Sequence, residues 1–292
     1  MKARLIAALS LAMSLHNIAS AQKLPSAIPF TIASDTGLVM VSGTTGPGDA
    51  SSFAFDTGAG LTILAQSLVD KLGGKPVGQF TGFRLTGERL DLQLYIIPEL
   101  SIGPITQRQV LVGAWGGLDK AHLSGIIALS FFRNQPFSLD FQHHQLFFET
   151  DTSLAHRRSA GNAVPIQLND QRGISLDVFA PFLVDSHAAQ CEVDTGSQGY
   201  IFSSRYMKLL GLDPNSSAVR KTEHTSILGN KEFRYHATVP TLQLDGNPST
   251  ANQEAHALFE DIIYDCNIGI DFWVDRLITF DIPGKTLIVA LK

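Results

Sequence analysis

The chain has 292 residues, two cysteines and a formal net charge of -5. So mild a charge, with no run of Lys or Arg, points away from nucleic acid and from an anionic membrane surface as partners. Two cysteines exclude a disulfide-rich scaffold and leave open whether Cys191 and Cys266 form one bridge.

Taken in chain order, the first element is a leader. Lys2 and Arg4 give a positive start, Leu5 to Met13 is a short apolar run, and Ala19-Ser20-Ala21 is a small-x-small cleavage signature. The expectation is a signal peptide over 1–21, cleavage after Ala21 and a periplasmic or secreted protein. No later stretch is apolar enough over 20 residues to span a bilayer, and no cysteine follows the apolar run to accept a lipid.

The rest reads as strands. "LVMV", "FAF", "LDLQLYII", "ISLDVFA" and "TLIVA" alternate or run apolar between Gly, Pro and Asn breaks. "GTTGPGD", Gly43 to Asp49, is Gly-rich but lacks the Lys and following helix of a phosphate loop. Helical patterns are few: "LAQSLVDKLG" and "SSRYMKLLG" are short, and each ends at a Gly suited to a C-cap. The polar stretch Glu149 to Ala163 reads as a linker. Asp185-Ser186-His187 holds the residue types of a serine triad, but three neighbours on one turn cannot converge as that chemistry needs, so it reads as a hairpin loop. His143-His144 has no ligand spacing, and no metal or other cofactor is expected.

Three blocks of the chain recur. "FAFDTGAGLTILAQSLVDKLG" matches "CEVDTGSQGYIFSSRYMKLLG" at an offset of 138 (194 - 56). "LTGERLDLQLYIIPELSIG" matches "ILGNKEFRYHATVPTLQLDG" at 142 (240 - 98), and "SFFRNQPFSLDF" matches "DFWVDRLITFDI" at about 141. A nearly constant offset over three blocks indicates a duplicated unit of about 130 residues. The expected domains are 22–155 and 156–292.

The repeat sorts three copies of Asp-Thr-Gly. Asp56 and Asp194 occupy matching places, each after an apolar strand end and before a small residue. Asp35 matches the region Asn169 to Gly173, where the second unit has no such tripeptide, and reads as a turn aspartate.

On these residues the sequence resembles the aspartic proteases, the group of pepsin-like and retroviral-type enzymes. "FDTGAG" and "VDTGSQ" match the signature of an apolar residue, Asp-Thr-Gly and a small residue. Ile126-Ile127-Ala128 and Asn267-Ile268-Gly269 stand where the family has an apolar-apolar-Gly strand, with Ala128 and Asn267 as departures. The units are short and look like two retroviral-type lobes fused in one exported chain. The resemblance implies an all-β fold of two retropepsin- or pepsin-like β-barrel lobes with a cleft between them, sufficient as a monomer.

It also implies an endopeptidase in which Asp56 and Asp194 share one proton and activate a water. Thr57 and Thr195 would interlock across the lobes. Gly58 and Gly196 would let N–H groups reach the carboxylates, and Ser197 would hydrogen-bond Asp194 where Ala59 has no hydroxyl. The substrate, a peptide or protein, would lie extended under a covering hairpin, with Thr86 and Gly87, or Leu228 and Gly229, at its tip.

Two other classes compete. One is a peptide-binding protein on the same double barrel, against which two intact motifs argue. The other is a glycosidase, whose two carboxylates stand about 5 to 9 Å apart, whereas a symmetric repeat suggests a closer pair.

Overall fold

A computed structural model describes residues 25–46, 50–225, 229 and 231–291. The expected signal peptide, the hairpin residue Leu228 and part of the Gly-rich loop lie outside them. The fold is all-β in two lobes, and among the described residues no helix is long and apolar enough to cross a membrane.

The two halves follow one plan. In each, a strand carrying the Asp-Thr-Gly motif pairs in parallel with a short strand about 70 residues later. In the first half Ala54, Phe55 and Asp56 face Ile126, Ile127 and Ala128. In the second, Cys191, Glu192 and Val193 face Cys266, Asn267 and Ile268. Parallel pairing needs a long crossover. The crossover supplies a short helix and a three-stranded hairpin system in each half, from Lys75–Phe83 to Ile105–Ala114 and from Arg220–Thr225 to Asn247–Glu260.

The two short helices form as the sequence predicts, over Gln66–Lys71 and Arg205–Leu209. Gly73 and Gly211 stop them at φ of 64° and 66°. In both, the following residue returns its N–H to the third-last helical carbonyl, Gly74 to Val69 and Leu212 to Met207.

A sheet beneath both lobes joins them. Strand Phe137–Asp140 of the first half pairs antiparallel with Arg276–Asp281 of the second. Ser138 faces Thr279 with 2.7 Å between their hydroxyl oxygens. These two positions are 141 apart (279 - 138), the offset of the repeat, so the pseudo-twofold axis passes between them. Phe137 stacks on Phe280 at 4.8 Å beside it. One continuous apolar core therefore spans both lobes, each fully buried Phe contributing about 1.5–3 kcal/mol.

Glu149 to Ala163 is not an irregular linker. Asp151–Ala160 is a helix, started by Thr150, whose side chain accepts the Ser153 N–H while Ser153 answers the Thr150 N–H. Its mean character is polar and only Leu154 is buried. The apolar stripe that announces a helix is therefore absent, and the capping pair is the signal that was available.

Cys191 and Cys266 form a disulfide, their Cα atoms 4.5 Å apart. Their parallel register places them side by side, and the bond staples the strand leading to Asp194 to the strand carrying Asn267.

Candidate active site

The pseudo-twofold axis that separates Ser138 from Thr279 also passes between the two motifs. Thr57 N–H donates to Thr195 Oγ1 at 3.0 Å, and Thr195 N–H donates to Thr57 Oγ1 at 3.1 Å. Each hydroxyl then donates onward to the other lobe: Thr57 to the Val193 carbonyl at 2.6 Å and Thr195 to the Phe55 carbonyl at 2.9 Å. All four groups are buried and all four are satisfied, so the two loops are locked in one relative position.

That lock brings the carboxyl groups together. Gly58 and Gly196 N–H groups donate to Asp56 and Asp194 at 2.9 and 2.7 Å. Each glycine also presses on the opposite aspartate. A Cβ on Gly58 would stand 2.4 Å from Asp194 Cγ, and one on Gly196 would stand 2.4 Å from Asp56 Cγ. Only glycine fits there. Asp56 and Asp194 are close enough to share a hydrogen bond. Burial first, then the charge of Asp194 and that shared bond, raise the Asp56 pKa well above the ordinary carboxylate value, against the N–H groups of Ala59 and Gly58.

The expected bond from Ser197 to Asp194 is not what the structure builds. Among the described residues the second donor to Asp194 is Asn267, whose Nδ2 lies 2.7 Å from Oδ2. The Ser197 carbonyl instead accepts the Ile270 N–H, and the Ser197–Gln198 backbone crosses so close to Gly269 that a Cβ there would meet it at 2.5 Å. In the first half the equivalent position is Ala128, whose N–H goes to Thr62 Oγ1. The crossing is looser there and a methyl group is tolerated.

Asp35 is an exposed turn residue, as its mismatch with the repeat predicts, and Gly37 after it turns the chain at a φ of 71°. Asp185 and Ser186 are the two central residues of a hairpin, with φ of 46° and 72°, and take no part in the site.

A cavity of about 500 Å³ opens above the two aspartates. Its first-lobe wall is apolar, formed by Leu61, Ile63, Phe80, Leu90 and Leu92. Its second-lobe wall is polar, formed by Asn169, Gln171, Ser175, Asp177, Glu192 and Tyr264. Glu192 is buried, and its pKa is raised well above the ordinary range by that burial and by the charge of Asp194. Asp177 is pushed up to about 6 by burial, against a hydrogen bond from Asn169. Burial, Glu192 and Asp177 also raise the Tyr264 hydroxyl. Sequence reasoning missed these three. Each reads as an ordinary polar position of a strand or loop; its surroundings come from residues distant in sequence, Asn267 beside Glu192 and Phe179 against Tyr264.

The first-lobe hairpin at Arg84–Glu88 roofs the cavity, but not with the expected residues. Arg84 and Leu85 line it, while Thr86 and Gly87 turn away toward the second lobe. Ile263 N–H donates to the Leu85 carbonyl at 3.0 Å, and Ile263 Cγ2 would lie 3.1 Å from a Cβ on Gly87. Gly229 is exposed and does not line the cavity.

With this geometry in place, similarity to known proteins bears on the fold. The sequence model of a family described as aspartyl protease matches residues 39–127, the segment that contains Asp56. No curated protein matches the chain. Among solved structures, conglutin gamma, a basic 7S globulin from lupine seeds, aligns with a TM-score of 0.54 and 12% identity over 92% of this chain and 96% of its own. Basic 7S globulin from soybean aligns with a TM-score of 0.57 and 9% identity over 91% of this chain and 94% of its own. The protein called edgp aligns at 0.52 and 9%, over 92% and 95%. At such identities the likeness is one of fold, and it extends over both lobes.

Proposed function

We propose that the chain is an aspartic endopeptidase, acting as a monomer after export, with Asp56 and Asp194 as its catalytic pair. The observation that carries this reading is the reciprocal lock of Thr57 and Thr195, which holds two carboxyl groups in contact at the floor of a cavity. Two carboxyls in contact cannot both ionise cheaply, and the pair holds one proton between them at moderate pH. The ionised member takes a proton from a water placed between the carboxyls, and that water attacks the scissile carbonyl. The protonated member donates to the carbonyl oxygen. Collapse of the tetrahedral intermediate breaks the C–N bond, and the pair delivers a proton to the leaving amine. No metal, cofactor or covalent intermediate is required.

The cavity walls specify the kind of peptide. An apolar side chain fits against Leu61, Phe80 and Leu92, and a side chain with hydrogen-bond donors fits against Asp177 and Gln171. Export is supported by the leader pattern and by the Cys191–Cys266 bond, which persists in oxidising compartments.

Digestion of a diverse peptide library by the purified chain tests the proposal, with a pepstatin-type inhibitor as control. Inhibitor-sensitive cleavage beside apolar residues is expected. Peptide binding without cleavage between about pH 3 and 8, which brackets the titration of such pairs, would identify a peptide-holding protein instead.

A further inference from the structure

Glu192 and Asn267 have no polar counterparts in the first lobe. Glu192 stands two residues before Asp194 and faces Asn267 across the parallel strands. The matching pair two residues before Asp56 is Ala54 and Ile126. Asn267 Nδ2 donates to Asp194 Oδ2 at 2.7 Å and to Glu192 Oε2 at 2.9 Å. Its own Oδ1 is buried and has no partner among the described residues, a cost that Ile126 does not incur. The side chain is therefore held for what its NH2 group does.

What it does is make the pair unequal. Asp194 accepts on both oxygens, from Gly196 on Oδ1 and from Asn267 on Oδ2. Asp56 accepts both of its N–H bonds, from Gly58 and Ala59, on the single atom Oδ1. A proton on Asp194 Oδ2 would displace a donor, whereas among the described residues Asp56 Oδ2 has no N–H to displace. We infer that Asn267, braced by Glu192, is a positioning residue that assigns the charge of the pair to Asp194 and the proton to Asp56. This rests on the catalytic pair proposed above and adds a direction to it: Asp194 activates the water, and Asp56 protonates the carbonyl oxygen.

The other ionisable groups around the pair do not supply this direction. Glu192 and Asp177 on the second-lobe strands and Tyr264 in the loop before Cys266 are acids kept toward their neutral forms by burial. Arg84, in the roofing hairpin, is paired with Glu88 at 3.6 Å. Among the described residues outside the pair, Asn267 is the side chain that places a donor directly on one of the two carboxyls.

Two readouts on the full chain test the inference. The first is the pH profile of kcat/KM for the Asn267→Leu variant, which keeps side-chain volume and removes the donor. Its acidic limb is expected to move up by about one pH unit, the usual scale for one hydrogen bond to a carboxylate, with cleavage retained. The second is carboxyl ¹³C NMR of aspartate-labelled protein, which needs no activity. In the wild type the Asp194 signal should follow the lower step of the pair and the Asp56 signal the upper one, whereas in Asn267→Leu each carboxyl should show part of both steps, because the pair then shares its proton more evenly. Glu192→Ala, which removes only the brace, should shift both readouts the same way by less, and it serves if Asn267→Leu does not fold. Unchanged limbs and unchanged NMR steps in a folded variant would overturn the inference. A wild type that cuts no peptide, yet whose two carboxyl signals each follow one step and become mixed in the variant, would sink the peptidase reading and leave this one standing.

Discussion

Thr57 and Thr195 each accept the other's backbone N–H, at 3.0 and 3.1 Å, across the axis that relates the two lobes. This reciprocal pair fixes the distance between two loops that otherwise belong to separate barrels. Replacing Thr195 by Val keeps its shape but leaves the Thr57 N–H and the Phe55 carbonyl buried without partners. The expected cost is about 2–4 kcal/mol, from two orphaned groups. Denaturant unfolding of Thr195→Val measures it; a loss under about 0.5 kcal/mol, the level of an ordinary surface change, would mean the lock is not structural.

The disulfide closes a loop with a sequence separation of 75. Loop-closure entropy for that length is about 4 kcal/mol at 25 °C. Cys191→Ala combined with Cys266→Ala is expected to lose up to that much stability. Activity should fall as well, because the bond lies directly beneath Glu192 and Asn267 in the register. A thermal melt with and without reductant checks the first point, and an unmoved midpoint would refute it.

Asp177 gives a pH dependence with a defined sign. Its carboxyl is pushed from 3.8 to about 6 by burial, so the folded state binds this proton more tightly than the unfolded state. The stabilisation is fully present below about pH 4 and is lost as pH rises through 6. Two units correspond to at most about 3 kcal/mol. Asp177→Asn cannot titrate, so its stability relative to wild type should rise between pH 4 and 7. Parallel stability curves for the two proteins would show that burial does not perturb this group.

The roofing hairpin should be sensitive at Gly87. Its φ of 82° disfavours any side chain, and a Cβ would meet Ile263 at 3.1 Å. Gly87→Ala is expected to cost about 1 kcal/mol in stability and to raise KM for peptides more than it lowers kcat, since Arg84 and Leu85 line the cavity while Gly87 only sets their position. A fall in kcat alone would place the hairpin in the chemistry rather than in binding.

Much of this was legible in the sequence because the duplication is. Equal spacing around Asp56 and Asp194 puts the two motifs on one axis, and the structure brings Thr57 and Thr195 together there. Gly73 and Gly211 mark the helix ends, and the odd Asp35 falls in a turn. What the sequence hid depends on contacts between residues far apart in the chain, within the second lobe and between the lobes. Glu192 alternates like any solvent-facing strand residue, yet it is buried against the cavity. Asn267 stood out only as a departure from an apolar position, and its donor role needed the parallel register with Glu192 to become visible. Thr86 and Gly87 mark a hairpin tip correctly, but the tip leans onto Ile263 and presents Leu85 to the cavity instead. The helix Asp151–Ala160 was hidden because it buries a single side chain.

The most direct test of the account compares peptide cleavage by the wild type, Asp56→Asn, Asp194→Asn, the double variant and Asp35→Asn. Asn preserves the size and turn preference of Asp, so all five should fold. Each of the two pair variants is expected to lose cleavage, and the double variant to be no worse than either, because the residues act as one unit. Asp35→Asn should retain nearly full turnover. Cleavage that survives in Asp56→Asn or Asp194→Asn, or that disappears in Asp35→Asn, would contradict the assignment of the catalytic pair.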